Sequence, residues 1–391
     1  MRIIAVGQRF FPSAHPGDKT FWLRVFQRLG ARGHEIHVIS IDRRPRASEP
    51  AGCNVTIDTI PAVPVYLRAG AQATRYNPES VDIGAITNYG SKLLTLPRVI
   101  RAVREKAHDQ HADVVHFVDN LGPAVWPFVA RLEIPAFASA ITYDPRYVFY
   151  DSFLRASFEG FSGVGATSDT FRERLVEIGL PRRRLRTVRW GADPNEYVPA
   201  PDRAALKAKL GLPPTTPLVF WAGYIQQITE ADFRLAYRAV VEARRTVPEL
   251  VAYFCFKPAH FRPSFHDLSG PNIRLVGDGA SFALARSAAD LFLSPVTRGR
   301  SILAPPLTWV EAMMQGLPIL TTPCGAASEI LDHGRAGEAV EWDRLSARIV
   351  ELVRDPTRLS DLRTRARDWA AANYSLEHSA DALNALWHEL T

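Results

Sequence analysis

Cysteine and methionine are scarce in this 391-residue chain, at three of each. Cys53, Cys255 and Cys324 are too few and too scattered for a disulfide framework or a zinc cluster, and such sparing use favours a reducing compartment. Lysine is nearly as rare: Lys19, Lys92, Lys106, Lys207, Lys209 and Lys257 are the only lysines among 47 basic residues, a bias that fits a GC-rich bacterial source. Long apolar runs are missing too. The opening Ile3–Val6 is broken by Gly7, Gln8 and Arg9, too short for the apolar core of a secretory signal. The weakly polar stretch 123–142 holds Arg131, Glu133 and several prolines, which rules out a membrane span. A cytoplasmic protein is expected. There is no internal repeat, no low-complexity segment, and no Asp-x-Asp pair or histidine cluster to ligate a metal, so no metal is expected.

What is present is an ordinary globular composition, 47% hydrophobic and 23% charged. A chain of this length exceeds what one core supports, so two domains of about 200 residues are expected. The net charge of +6 lies wholly in residues 1–200, with 26 Lys and Arg against 20 Asp and Glu, while 201–391 carry 21 of each. Its densest cluster is Arg182, Arg183, Arg184, Arg186 and Arg189. Such a cluster either docks an anionic membrane surface or acceptor, or is a solvated loop and strand edge. No aromatic-rich basic platform accompanies it, which argues against nucleic acid.

The first half alternates short apolar runs with helical periodicity. Strands are predicted at Arg2–Val6, Glu35–Ser40, Asp113–Phe117, Ala136–Thr142, Gly163–Thr167 and Leu185–Arg189. Phe21, Trp22, Val25, Phe26 and Leu29 space a helix that faces a sheet, and Asp169–Gly179 reads as another. The proline-rich 198–202 marks a linker, after which the pattern restarts with strands at Leu218–Ala222, Leu250–Phe256, Ile273–Val276, Leu291–Leu293 and Ile319–Thr322. Helices close the chain, ending in Leu376–Leu390. This βαβ pattern predicts an α/β protein of two Rossmann-like, doubly wound domains facing across a cleft. The expected boundaries are 1–200, 201–375, and a closing helix over 376–391. Ligands in such sheets bind beyond the carboxyl ends of the strands, so the loops there are where chemistry is sought.

One loop leads into a distinctive short helix. Pro305-Pro306-Leu307-Thr308-Trp309-Val310-Glu311-Ala312-Met313-Met314-Gln315-Gly316-Leu317-Pro318 has prolines at its start, a glycine past its last turn and a proline beyond. Its N-terminus suits a phosphate. Glu311, about two turns in, can accept hydrogen bonds from two sugar hydroxyls, or is simply a helix-surface carboxylate.

This run resembles the "LEAMA-cGlPvv" segment of retaining family 4 glycosyltransferases, and weaker likeness extends over nearly the whole chain. The resemblance implies the two-domain GT-B fold, a nucleotide-diphosphate sugar donor held through its ribose by Glu311, retention, and a small-molecule or lipid acceptor. No cofactor is implied beyond that donor. The loop Gly7–Lys19 is similar to the family's "yPp-GG" loop beside donor sugar and acceptor, with Gly17 at its first glycine and Asp18 at the second. Asp113–Asn120 is similar to "DvvHxHd": His116 is kept, Val118 replaces the second histidine, and either Asp119 takes the polar role or that contact is absent. His116 is read equally as a core residue. The Gly223-Tyr224 segment resembles "vGRl", but Tyr224 and Thr229 stand where the family has the Arg and Lys that neutralise the diphosphate. The first Glu of the family's E-x7-E pair is Leu303 here. In the same loop Arg298 and Arg300 either offer a replacement anion clamp, with backbone N–H groups near Ser301, Ile302 and Leu303, or are solvated loop charges. The loop at Gly277 resembles one that meets the nucleotide base, and Tyr374-Ser375 with the last helix, 376–391, resembles the family's segment that crosses back to the first domain. Phe10, Phe11 and Tyr143 are placed either to stack on a ring or to pack. These departures keep open two other readings: an enzyme on the same scaffold with different, non-glycosidic coupling chemistry, such as joining a pseudo-sugar to an amine, and a sugar-nucleotide binder without turnover.

Overall fold

A computed structural model of the chain describes residues 1–8, 10, 17–42, 49–63, 83–118, 122–140, 150–223, 227–256, 268–297 and 302–391. It divides into two compact units, Met1–Gly191 with Leu376–Thr391, and Ala192–Ser375. The proline-rich 198–202 therefore lies inside the second unit, and the chain changes units earlier than expected. Ala192 is already fixed there, because its N–H donates to the Tyr374 carbonyl at 2.8 Å and it bridges Ser375.

The first unit runs β1 (Arg2–Gln8), α1 (Gly17–Ala31), β2 (Glu35–Asp42), β3 (Glu49–Gly52), β4 (Val55–Pro61), α2 (Ile83–Asp109) and β5 (Val114–Phe117). It continues with α3 (Trp126–Val129), β6 (Ala136–Ala140), α4 (Tyr150–Phe158), β7 (Gly163–Ala166), α5 (Asp169–Glu177) and β8 (Leu185–Thr187). The eight strands are ordered β3-β4-β2-β1-β5-β6-β7-β8, parallel except for the β3–β4 pair. Ile3–Val6 of β1 are continuously buried, as befits a strand covered on both faces. β3, β4 and α2 escape the sequence reading. Leu96, Val99, Ile100 and Val103 bury one stripe of α2, but Pro97 sits within it and reads as a breaker. Thr95 and Ser91 tie that helix to Val63: the Val63 N–H donates to Thr95 Oγ1 at 2.8 Å, and Ser91 Oγ donates to the Val63 carbonyl at 2.5 Å.

The second unit runs α6 (Arg203–Lys209), β9 (Leu218–Gly223), α7 (Gln227–Thr246), β10 (Val251–Phe256), β11 (Ile273–Val276), α8 (Gly279–Ala288) and β12 (Leu291–Leu293). Then follow α9 (Leu307–Met314), β13 (Ile319–Thr321), α10 (Ala327–Ile330), β14 (Gly337–Ala339), α11 (Leu345–Val353) and α12 (Pro356–Asn373). Its six strands form a wholly parallel sheet, β11-β10-β9-β12-β13-β14. Phe233, Ala236, Val240, Ala243 and Val247 give α7 the i, i+3/i+4 stripe that packs on this sheet.

The last helix, α13 (Leu376–Leu390), belongs to the first unit. It buries Leu376, Ala380, Leu383 and Trp387 beside α1, where Trp387 stacks near Phe26 at 6.4 Å. Arg28 donates to Glu377 at 2.6 Å and Arg32 to Asp381 at 2.6 Å along the rim of that contact.

Candidate functional site

Strand order places the sites. In the first sheet the order reverses between β1 and β5, and in the second between β9 and β12. The crevice beyond the carboxyl ends at such a reversal is where doubly wound sheets hold ligands. The two sequence loops singled out in each half leave from those strand ends: Gly7–Lys19 and Asp113–Asn120 in the first unit, Gly223–Glu230 and 294–305 in the second. Arg298, Arg300, Ser301, Tyr224 and Asp119 lie outside the described residues. Gly17 is the first residue of α1.

In the first unit the residue expected to act on substrate is enclosed. His116 is fully buried, its Nε2 2.8 Å from Ser139 Oγ. Trp22, Phe26, Phe137 and Trp387 surround the imidazole, with ring centroids 4.7–5.9 Å away. Burial pushes its pKa down to about 3, so it stays neutral. His116 is thus the core histidine of the two alternatives, not a group presented to a ligand. Phe10 is equally committed to packing: it is buried, stacks on Phe26 at 6.2 Å, and its N–H donates to Ser40 Oγ at 3.0 Å.

The basic cluster before β8 is also engaged. Arg182 pairs with Glu173, Arg186 Nε donates to Glu389 at 2.8 Å, and Arg189 Nη2 to Asp169 at 2.5 Å. Arg184 donates to the Glu159 carbonyl at 2.9 Å. Four of the five arginines therefore have partners within the unit, three of them carboxylates and one a neutral carbonyl. Among the described residues no helix is long and apolar enough to cross a membrane, and no His, Cys, Asp and Glu are grouped to hold a metal.

The second unit presents a more open arrangement. The segment leaving β12 is fixed along its length. Ser294 Oγ accepts from Trp309 Nε1 at 2.8 Å, and Thr321 Oγ1 donates to the Ser294 carbonyl at 2.7 Å. The Val296 N–H donates to Thr322 Oγ1 at 2.8 Å. The N–H and hydroxyl of Thr297 both donate to Asp232 Oδ1 of α7, at 2.7 and 2.8 Å. On the far side the Ile302 carbonyl accepts from the Ala326 N–H at 2.6 Å, and Leu303 is buried. Thr297 and Ile302 are therefore each held by the second unit. Gly223 closes β9 where an added Cβ would lie 2.6 Å from the Trp221 ring, so only glycine fits there without displacing the indole. Gly277 sits after β11, just ahead of Asp278, which caps α8 through the Ser281 N–H at 2.7 Å.

The N-cap of α9 is Pro306, which supplies no side-chain hydrogen bond to the first N–H groups of the helix. Its other end is held by arginines. Arg203 Nη2 donates to the Gly316 carbonyl at 3.1 Å and Arg367 Nη1 to the Met314 carbonyl at 2.9 Å, cations at the negative pole of the helix. Glu311 projects from this helix, 22% exposed in its side chain. The carboxylate has partners within the unit. Arg286 Nη1 of α8 donates to Glu311 Oε2 at 2.6 Å, and the Tyr197 hydroxyl donates to the same carboxylate. Burial raises the Glu311 pKa, and Arg286 and Tyr197 pull against it. Tyr197 is pushed well above the ordinary tyrosine range by burial and by the Glu311 charge. A carboxylate has about four acceptor positions, so two internal donors leave roughly two for a ligand.

Arg286, Tyr197 and Asp232 are the residues that sequence reading missed. Arg286 leaves a trace: an arginine between Ala285 and Ala288 on the apolar stripe of α8 requires a buried partner. Asp232 likewise interrupts the stripe of α7 beside Phe233.

Comparison with known proteins follows the same division. The family model for the glycosyl transferase 4-like domain matches residues 17–191, and that for glycosyl transferases group 1 matches 204–355. A D-inositol 3-phosphate glycosyltransferase of Rhodococcus jostii is 30% identical over 238 residues, covering 56% of this chain. The chain spans about half the length of that relative, 50%. The sucrose-phosphate synthase structure of Thermosynechococcus elongatus superposes with a TM-score of 0.77 at 16% identity, covering 100% of this chain and 98% of that one. Anabaena HepE in complex with UDP gives 0.72 at 14% identity, with 100% coverage of both chains.

Proposed function

Since the chain belongs to the glycosyltransferases, with a glycosyl transferase 4-like domain followed by a group 1 domain in the GT-B fold, we propose that it transfers a sugar from a nucleotide-diphosphate donor to a small-molecule or lipid acceptor, with retention and without a metal. The observation that carries this reading is Glu311, held on α9 with acceptor positions to spare for a ribose diol. Arg298 and Arg300, on the segment between Thr297 and Ile302, are the cations assigned to the donor diphosphate, with the N–H groups of Ser301, Ile302 and Leu303 beside them. They take the part of the Arg and Lys that Tyr224 and Thr229 replace. Charge stabilisation of the departing diphosphate is the main demand of such a transfer, and fixed guanidiniums meet it. Gly277 and Gly223 line the base and diphosphate sides. On the acceptor side the Gly17 loop and Asp119 are retained as candidates, whereas His116 is not. The relative named for D-inositol 3-phosphate supports a small hydroxylated acceptor.

Thermal shift measurements with UDP, GDP, ADP, dTDP and their sugar nucleotides test the reading. A donor at a hundred times its dissociation constant stabilises by about 2.7 kcal/mol, and one base is expected to stand out. Charge reversal at Arg298 or Arg300 is expected to abolish that shift. A wild-type protein indifferent to every nucleotide would reject the donor reading. Retained shifts in both reversed variants would reject the clamp alone.

A further inference from the structure

Arg286 lies on α8, outside every motif read in the sequence, yet it is the group most closely tied to Glu311. Its side chain is 10% exposed. The guanidinium is sandwiched between two rings, 5.1 Å from the centroid of Tyr197 and 5.2 Å from that of Phe282. This stacking fixes the plane of the fork, and Nη1 then meets Glu311 Oε2 at 2.6 Å. Tyr197 is shared: its ring stacks on Arg286 while its hydroxyl donates to Glu311. The three side chains come from three separate segments, the stretch before α6, α8 and α9. α9 itself is held from behind by Arg203 and Arg367. Such a cluster is more than a surface pair, since it defines both the direction and the charge of one carboxylate.

We infer that Arg286, braced by Tyr197 and Phe282, is a positioning residue for the donor site: it keeps the Glu311 carboxylate ionised and turned so that its remaining acceptor positions meet the two hydroxyls of a ribose. The inference rests on the reading of Glu311 as the ribose-holding group. Without the guanidinium a half-buried carboxylate protonates more readily and is free to rotate, and a protonated carboxyl loses acceptor capacity. Among the described residues, the charged and titratable groups facing Glu311 are Arg286 from α8 and Tyr197 and Glu196 from the stretch before α6; Glu196 raises the Glu311 pKa, and Arg286 supplies the opposing charge.

The test compares binding of ribonucleoside diphosphates with their 2′-deoxy counterparts by titration calorimetry, in wild type, R286Q, R286M and R286K, from pH 5 to pH 8. Wild type is expected to favour the ribonucleotide by about tenfold, the size of a hydrogen bond to a charged group. At pH 7 R286Q and R286M are expected to lose most of that preference, with a smaller loss of affinity for the deoxynucleotide, which still offers its 3′-hydroxyl to Glu311. Either folded variant suffices, with circular dichroism as the check. The pH at which the ribose preference fades should be higher in R286Q than in wild type, because its Glu311 takes up a proton sooner. R286K, which restores charge without the planar fork, should recover part of the preference and return the pH midpoint downward. Unchanged ribose preference in R286Q and R286M would overturn the role of Arg286 while leaving Glu311 as the ribose contact. Absence of ribose preference in wild type would overturn both.

Discussion

At the scale of single residues, the same side-chain type can mean opposite things, and His116 shows how the surroundings decide. Enclosed by four aromatic rings, it stays neutral with a pKa of about 3 against 6.5 unfolded. The folded state therefore resists a proton that the unfolded chain accepts. Stability is fully present above pH 6.5 and falls by up to about 1.4 kcal/mol per pH unit as pH drops toward 3. Urea denaturation between pH 5 and 7.5 is expected to show this slope in wild type and a shallower one in H116F, whatever the absolute stability of the variant. A slope shared by both would place the acid sensitivity elsewhere. Sequence alone leaves His116 undecided, because burial depends on α13, some 260 residues later. Glu311 was legible for the reverse reason, since its helix signals, its glycine and its prolines all lie within a few residues. Its partner Arg286 was not, because the pairing joins two helices that no local pattern connects.

At the scale of elements, the helix that carries Glu311 is fixed by charges near the amino ends of the strands, opposite the carboxyl ends where the candidate site lies. Asp290, just before β12, accepts from Lys207 at 2.7 Å, from Arg363 at 2.6 Å and from the Leu218 N–H at 2.9 Å. Lys207 is 7% exposed in its side chain, and Arg203 nearby has its pKa lowered to about 10 by burial and by Arg363. One carboxylate thus compensates several cations around α6 and α12, the same helices that supply the Arg203 and Arg367 caps of α9. D290A is expected to destabilise the second unit by about 3–5 kcal/mol, the cost of leaving a buried charge unpaired. Urea unfolding followed by hydrogen exchange in β9 and β12 would reveal it; a loss under 1 kcal/mol would show that Lys207 and Arg363 find other partners. Elements with a clean period, such as α7 and β1, were readable from the sequence. Those that break a rule were not: α2 runs through Pro97, which reads as a breaker.

At the scale of the whole molecule, the alternation of strands and helices gave away two doubly wound sheets, and the strand reversals put the singled-out loops at their crevices. The exact division did not show, because prolines at 198–202 mimic a linker while the hydrogen bonds of Ala192 draw the true boundary. α13 completes the first unit from the far side of the second. Its rim pairs with Arg28 and Arg32 are half exposed, each worth under about 1 kcal/mol. Trp387 is wholly buried, and W387A is expected to cost about 3–5 kcal/mol. Hydrogen exchange should show that loss in β1 and β5 and not in β9. Equal loss in both sheets would mean that the units do not unfold independently.

This connectivity also sets an order of events during synthesis. As the first unit leaves the ribosome, Trp22, Phe26 and His116 have no Trp387 to close over them until all of 192–375 has been made. At about 5–20 residues per second that interval is roughly ten to forty seconds. A nascent chain in that interval carries an apolar groove along α1, the kind of surface that chaperones bind, and the second unit is free to fold before the first is complete.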